Sequence, residues 1–190
     1  MITLKHIHVD TVSLYAGGIK MPSTTFENLN QQKKELITNA LLTEFSQHSL
    51  ASAQVARIVK QAGIARGAFY KYFTDLTEAY QYLYQVAILE IHTPITRANH
   101  ILAASDYVNQ IKAFVEEING SKYRDFMRLH FQTNEGLLRD STQPQIKIHS
   151  AQEWSVMILS HETIKDCLLQ PNKQGEAITR LSKVLTALLR

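Results

Sequence analysis

The sequence is short of chain breakers. Seven glycines and four prolines in 190 residues leave little to interrupt helices, and an all-α chain is the expectation. Cys167 is the only cysteine, so an intrachain disulfide is excluded. A lone thiol suits a reducing cytosol, and Cys167 reads as a small buried apolar residue. No apolar run approaches the roughly 18 residues of a membrane span. The N-terminus lacks a compact apolar stretch ending in a small-residue cleavage site. A cytoplasmic protein is therefore expected.

Catalytic signatures are missing as well. There is no Gly-x-Ser-x-Gly and no phosphate-cradling glycine loop. His161-Glu162 opens like a zinc protease motif, but Lys165 stands where the second histidine belongs. No metal, cofactor or enzymatic activity is expected.

Acidic residues are absent over one stretch. Between Phe45 and Thr74 there is no Asp or Glu, while Arg57, Lys60, Arg66 and Lys71 are present. The overall net charge of +3 says little, but an acid-free basic stretch is what a phosphate-facing surface requires.

The helices can be placed by period and punctuation. A first helix is expected from about Leu29 to Phe45, with Leu36, Ile37, Ala40, Leu41 and Phe45 as its apolar stripe. A second should begin near Ser52 as N-cap and end at Ala62, where Gly63 is free to take positive φ. A short third helix follows, about Ala65 to Phe73. Asp75 or Thr77 caps a fourth that runs to about His92, before Thr93-Pro94. Further helices are expected from Asp106 to Asn119 and from Tyr123 to Leu138. Asp140–Pro144 reads as a loop. Two long amphipathic segments come last, about 145–169 and 172–189.

Residues 1–20 lack this periodicity. Some codons for Ala16-Gly17-Gly18-Ile19-Lys20 spell a purine-rich ribosome-binding sequence ahead of Met21. Residues 1–20 are then either an upstream extension or a short disordered arm, in which Lys5, His6 and His8 could touch DNA.

The segment from Val55 to Phe73 concentrates the functional signal. Small Ala62 and Gly63 let two helices cross closely. Val55, Ile58, Val59, Ile64, Phe69 and Phe73 should fill the core. Ala65, Arg66, Gly67, Ala68, Tyr70, Lys71 and Tyr72 should face outward on a helix short enough to enter a major groove by its N-terminal end. The N-terminal amides of that helix also suit a phosphate.

Ile58-Val59, Ala62-Gly63-Ile64-Ala65, Phe69-Tyr70 and Phe73 resemble the helix-turn-helix of the tetracycline-repressor (TetR) family of bacterial regulators. The likeness spans about residues 29–90; beyond it only length and helical content agree. It implies an N-terminal three-helix DNA-binding domain (21–75, connected by a fourth helix to about 92) and a helical ligand-binding and dimerisation domain (93–190). It implies a homodimer on a palindromic operator, acting as a ligand-responsive repressor.

The DNA-contacting residues would be Ser52, Arg57, Ala65, Arg66, Gly67, Ala68, Tyr70, Lys71 and Tyr72. Arg66 either reads guanine in a bidentate way or holds a phosphate. Tyr70 either bonds a phosphate or packs. Tyr72 either reaches the DNA or covers the surface. The chain departs from the family pattern at Ala65, Ala68 and Leu76, the last standing where a phosphate-binding lysine is usual.

Tyr107, Phe114, Phe126, His130 and Phe131 would line an effector pocket or simply fill the core. Trp154, Ile158, Leu181, Leu185 and Leu188 would form the dimer interface or the internal core; Trp154, Met157, Ile158, Ile164 and Leu168 read as one stripe. An all-helical interaction protein that keeps the motif as a scaffold is the competing reading.

Overall fold

A computed structural model describes residues 22–91, 102–138 and 150–190. The proposed extension 1–20, the Thr93-Pro94 break, the Asp140–Pro144 loop and the start of the helix expected from 145 lie outside these residues. Among the described residues every regular element is helical, and no helix is long and apolar enough to cross a membrane.

The residues divide into two compact units. The first takes its described residues from 17–90 and 125–143. It begins with α1 (Thr24–Glu27), a helix of four residues that the sequence reading passes over. The helix α2 (Gln31–Gln47) is capped by Asn30, whose side chain accepts from the Lys33 amide at 2.8 Å. Then come α3 (Val55–Ala62), α4 (Arg66–Tyr72) and α5 (Leu76–Glu90). Asp75 caps α5 by accepting from the Glu78 amide at 2.8 Å, as expected of an aspartate at that position. The unit closes with α7 (Arg124–Leu129), a π-helical turn (His130–Asn134) and α8 (Glu135–Leu138). Its core is rich in rings: Phe26, Phe45, Phe69, Phe73, Tyr80 and Phe126 are all fully buried.

Several expectations change here. Leu36 is 51% exposed; α2 buries Ile37, Ala40, Leu41, Glu44 and Phe45, one position round from the expected stripe. Ser52 does not cap α3. Its hydroxyl lies 3.0 Å from that of Ser49 in a turn, and α3 starts three residues later behind Gln54. The helix expected over 123–138 is interrupted by the π turn.

The second unit draws on 91–124 and 144–190. It packs α6 (Ala104–Gly120), α9 (Ala151–Leu169) and α10 (Gln174–Leu188) against one another. Asp106 lies in the first turn of α6 rather than at its cap. Asn172 falls within a 3-10 turn (Pro171–Lys173) and does not cap α10. The buried face of α9 is Val156, Ser160, Thr163, Ile164, Cys167 and Leu168. Trp154 and Ile158, expected on that stripe, are exposed instead, at 51% and 40%. Burial pushes the Cys167 thiol pKa up, consistent with an inert core residue.

Candidate nucleic-acid interface

Gly63 sets the angle of the motif. It ends α3 at φ 63° and ψ 37°, and the Ile64 amide closes the turn onto the Val59 carbonyl at 3.1 Å. A Cβ added at Gly63 would meet nothing within 4 Å. The requirement for glycine is therefore conformational, since a side chain in the left-handed region is strained. Ile58, Phe69 and Phe73 are buried below the turn, as the spacing predicts.

α3 is clamped to α2 from its exposed side. Glu44 is 4% exposed and accepts from Arg57 Nε at 2.8 Å and Arg57 Nη2 at 2.6 Å. One of its oxygens also accepts from the Gln54 amide at 2.7 Å, supplying the start of α3 with the cap that Gln54 itself does not provide. Arg57 Nη2 donates further to the Ser52 carbonyl at 3.0 Å. One turn on, Gln61 Nε2 donates to Thr43 Oγ1 at 2.8 Å. Burial alone would raise the Glu44 pKa. The Arg57 hydrogen bond, the Gln54 amide and the nearby positive charge outweigh it and hold the carboxyl below its ordinary range. Arg57, expected to contact DNA, is bonded to Glu44 and the Ser52 carbonyl while its side chain stays 39% exposed.

α4 is different. Arg66, Gly67, Tyr70 and Lys71 are exposed, as is Ala65 at its N-cap, while Ala68 is half-buried. Arg66 Nη2 donates to the Tyr70 hydroxyl at 3.3 Å, and its guanidinium lies 5.6 Å from the Tyr70 ring centre. The two side chains, four residues apart on one face, form a pair that projects from the helix. Tyr72 does not join them. It is 7% exposed and sets its ring edge-on against Phe26, 5.8 Å between centres.

The far end of α4 is pinned by α1. The Ser23 amide donates to the Tyr72 carbonyl at 3.0 Å, and the Ser23 hydroxyl donates to the Lys71 carbonyl at 2.5 Å. Phe26 is wedged among Tyr72, Phe73 and Tyr82. The orphan carbonyls that end any helix are here satisfied by a segment outside the motif.

Residues 37–77 match the family model described as bacterial regulatory proteins, tetR family. That likeness covers less than a quarter of the chain. The matched stretch starts within α2 and ends at the first turn of α5, so it contains the Glu44 clamp, the Gly63 turn and the exposed face of α4. No curated protein matches the chain. Among solved structures, a TetR family transcriptional regulator from Chloroflexus aurantiacus J-10-FL aligns over 89% of this chain and 97% of its own, at 20% identity and TM-score 0.48. A TetR transcriptional regulator from Rhodococcus sp. RHA1 aligns over 83% and 94%, at 15% identity and TM-score 0.40.

The remaining expected sites fall as follows. Tyr107 and Phe114 lie on α6 in the second unit; the Tyr107 hydroxyl accepts from the Leu102 amide at 3.1 Å. Phe126, His130 and Phe131 are buried in the first unit. The five do not gather in one unit. Leu181 and Leu185 are 2% and 0% exposed within the chain itself, and Leu188 is half-buried. The two buried leucines therefore have no surface left to give a partner. Trp154, Ile158 and Val184 are the large apolar side chains that α9 and α10 expose. Among the described residues no three His, Cys, Asp or Glu side chains are grouped to hold a metal ion.

Proposed function

We propose that the chain is a transcription regulator that binds a palindromic operator as a homodimer, and that an effector releases it from DNA. The observation that carries this reading is the contrast within the motif. α3 spends its arginine on Glu44, whereas α4 offers Arg66, Tyr70 and Lys71 to solvent. A short helix whose free polar groups all lie on its outer face can enter a major groove. Arg66 reads a guanine through O6 and N7, Tyr70 and Lys71 hold phosphates, and Ala65, Gly67 and Ala68 allow the backbone close to the base edges.

The exposed apolar face of Trp154, Ile158 and Val184 is the surface through which two copies would pair. A two-fold pair places its recognition helices about 34 Å apart, one turn of duplex, or a multiple of it. An effector acts by binding one spacing of those helices better than the other; its effect on DNA affinity cannot exceed that difference.

Selection of random duplex DNA on the purified protein tests the reading. Enrichment of a palindrome with a guanine at the same place in each half is expected. No enrichment even at low salt would mean that the motif serves only as a helical scaffold.

A further inference from the structure

We infer that Asn134, at the end of the π-helical turn, is a positioning residue for the helix-turn-helix, pinning the loop between α2 and α3 to α5. The inference rests on the regulator reading only for its consequence on DNA.

The loop 48–54 connects α2 to the first helix of the motif and has two backbone amides held by buried side chains. One is Gln54, taken by Glu44 from the adjacent helix. The other is Leu50, whose N–H donates to Asn134 Oδ1 at 2.9 Å from 84 residues away. Asn134 is 0% exposed. Its amide nitrogen donates to the Tyr80 hydroxyl at 3.3 Å, in the second turn of α5. Tyr80 is itself fully buried, and its oxygen lies 2.9 Å from His130 Nδ1. The direction of that bond, and so the partner of the phenolic proton, follows the His130 tautomer. Burial pushes the Tyr80 pKa well up, which keeps that proton in place.

Asn134 is the last residue of the π turn. The Glu135 amide donates five residues back to the His130 carbonyl. The Leu129 carbonyl is served by the Thr133 hydroxyl at 3.0 Å. One residue is thereby accommodated beyond the α-helical count. In a regular α-helix the residues after the turn would be rotated by about 100° relative to those before it. His130 and Asn134, four residues apart, both meet Tyr80 from this turn, and Asn134 also meets Leu50.

The test reads amide exchange at Leu50, which needs no DNA. In Asn134→Ala the Leu50 amide should exchange roughly tenfold faster, the equivalent of one buried hydrogen bond. The amides of Leu83 and Ala87 in α5 should keep their rates. On the duplex pool enriched by the unmodified protein, at a temperature where both proteins are fully folded, the variant's Kd should rise about fivefold. Asn134→Leu fills a similar volume without an acceptor and must speed the Leu50 amide likewise; it decides the matter if the alanine variant does not fold. Three results overturn the inference: an unchanged Leu50 rate in Asn134→Ala, equal acceleration at Leu83 and Ala87, or a faster Leu50 with unchanged Kd. If the unmodified protein enriches no DNA, the regulator reading fails and the exchange rates alone judge Asn134.

Discussion

The two helices of the motif use their arginines in opposite ways. Arg57 on α3 makes three hydrogen bonds to Glu44 and one to the Ser52 carbonyl. Arg66 on α4, among the described residues, bonds the Tyr70 side chain. Both lie in the same acid-free stretch, and the composition of that stretch makes them equivalent. The difference comes from Glu44, which lies just outside the stretch in sequence and directly beneath α3 in space. A basic segment is thus divided by the fold into a cation bound to a buried carboxylate and cations left exposed.

That division can be broken at several points. Glu44→Ala should have the largest effect on stability, about 2–3 kcal/mol, because it removes a buried carboxylate that several donors share. Chemical denaturation at pH 7 would show it, and Arg66→Ala should leave the same curve unmoved. Arg66→Ala should instead cost about 1–3 kcal/mol of discrimination at one base pair. Gly63→Ala should destabilise by roughly 1–2 kcal/mol through backbone strain alone, with no clash to relieve. Lys71→Ala should weaken binding to all sequences alike and lower the log–log salt slope by about one.

The Glu44 clamp also predicts an acid limb. The folded pKa is depressed, so its stabilisation is complete above the ordinary glutamate value of 4.5 and is lost as pH falls through the folded value. The stability gap between the protein and its Glu44→Gln variant should therefore narrow below about pH 4.5. A gap that stays constant from pH 7 down to 3 would show that the carboxylate charge contributes nothing.

The parts of the fold visible in the sequence are those fixed by local spacing. Gly63, Ala62, Ile58, Phe69 and Phe73 occupy the places their period assigns, and Asp75 caps the helix it precedes. Tyr72 turns inward, against the expected outward face, because its burial depends on Phe26, on a helix too short to show a period. Ser23 caps the same short helix, and Ser-Thr-Thr-Phe does hold that cap signal. Arg57 and Leu50 were beyond reach of any local rule, since their partners stand 13 and 84 residues away. A π turn has no composition of its own, so the interruption at His130 could not be read in advance. On α9, apolar period alone did not separate the face that meets α6 and α10 from the face carrying Trp154 and Ile158, because Ser160 and Thr163 lie on the buried side.

The central claim is that α4 reads DNA through Arg66 while α3 holds it in place. The direct measurement is the affinity of the protein and of its Arg66→Ala variant for a panel of single-base changes in the selected site. The account predicts that the variant loses its preference at one guanine in each half-site and keeps the remaining preferences. A uniform loss of affinity across the whole panel would contradict it, and would make Arg66 a phosphate contact.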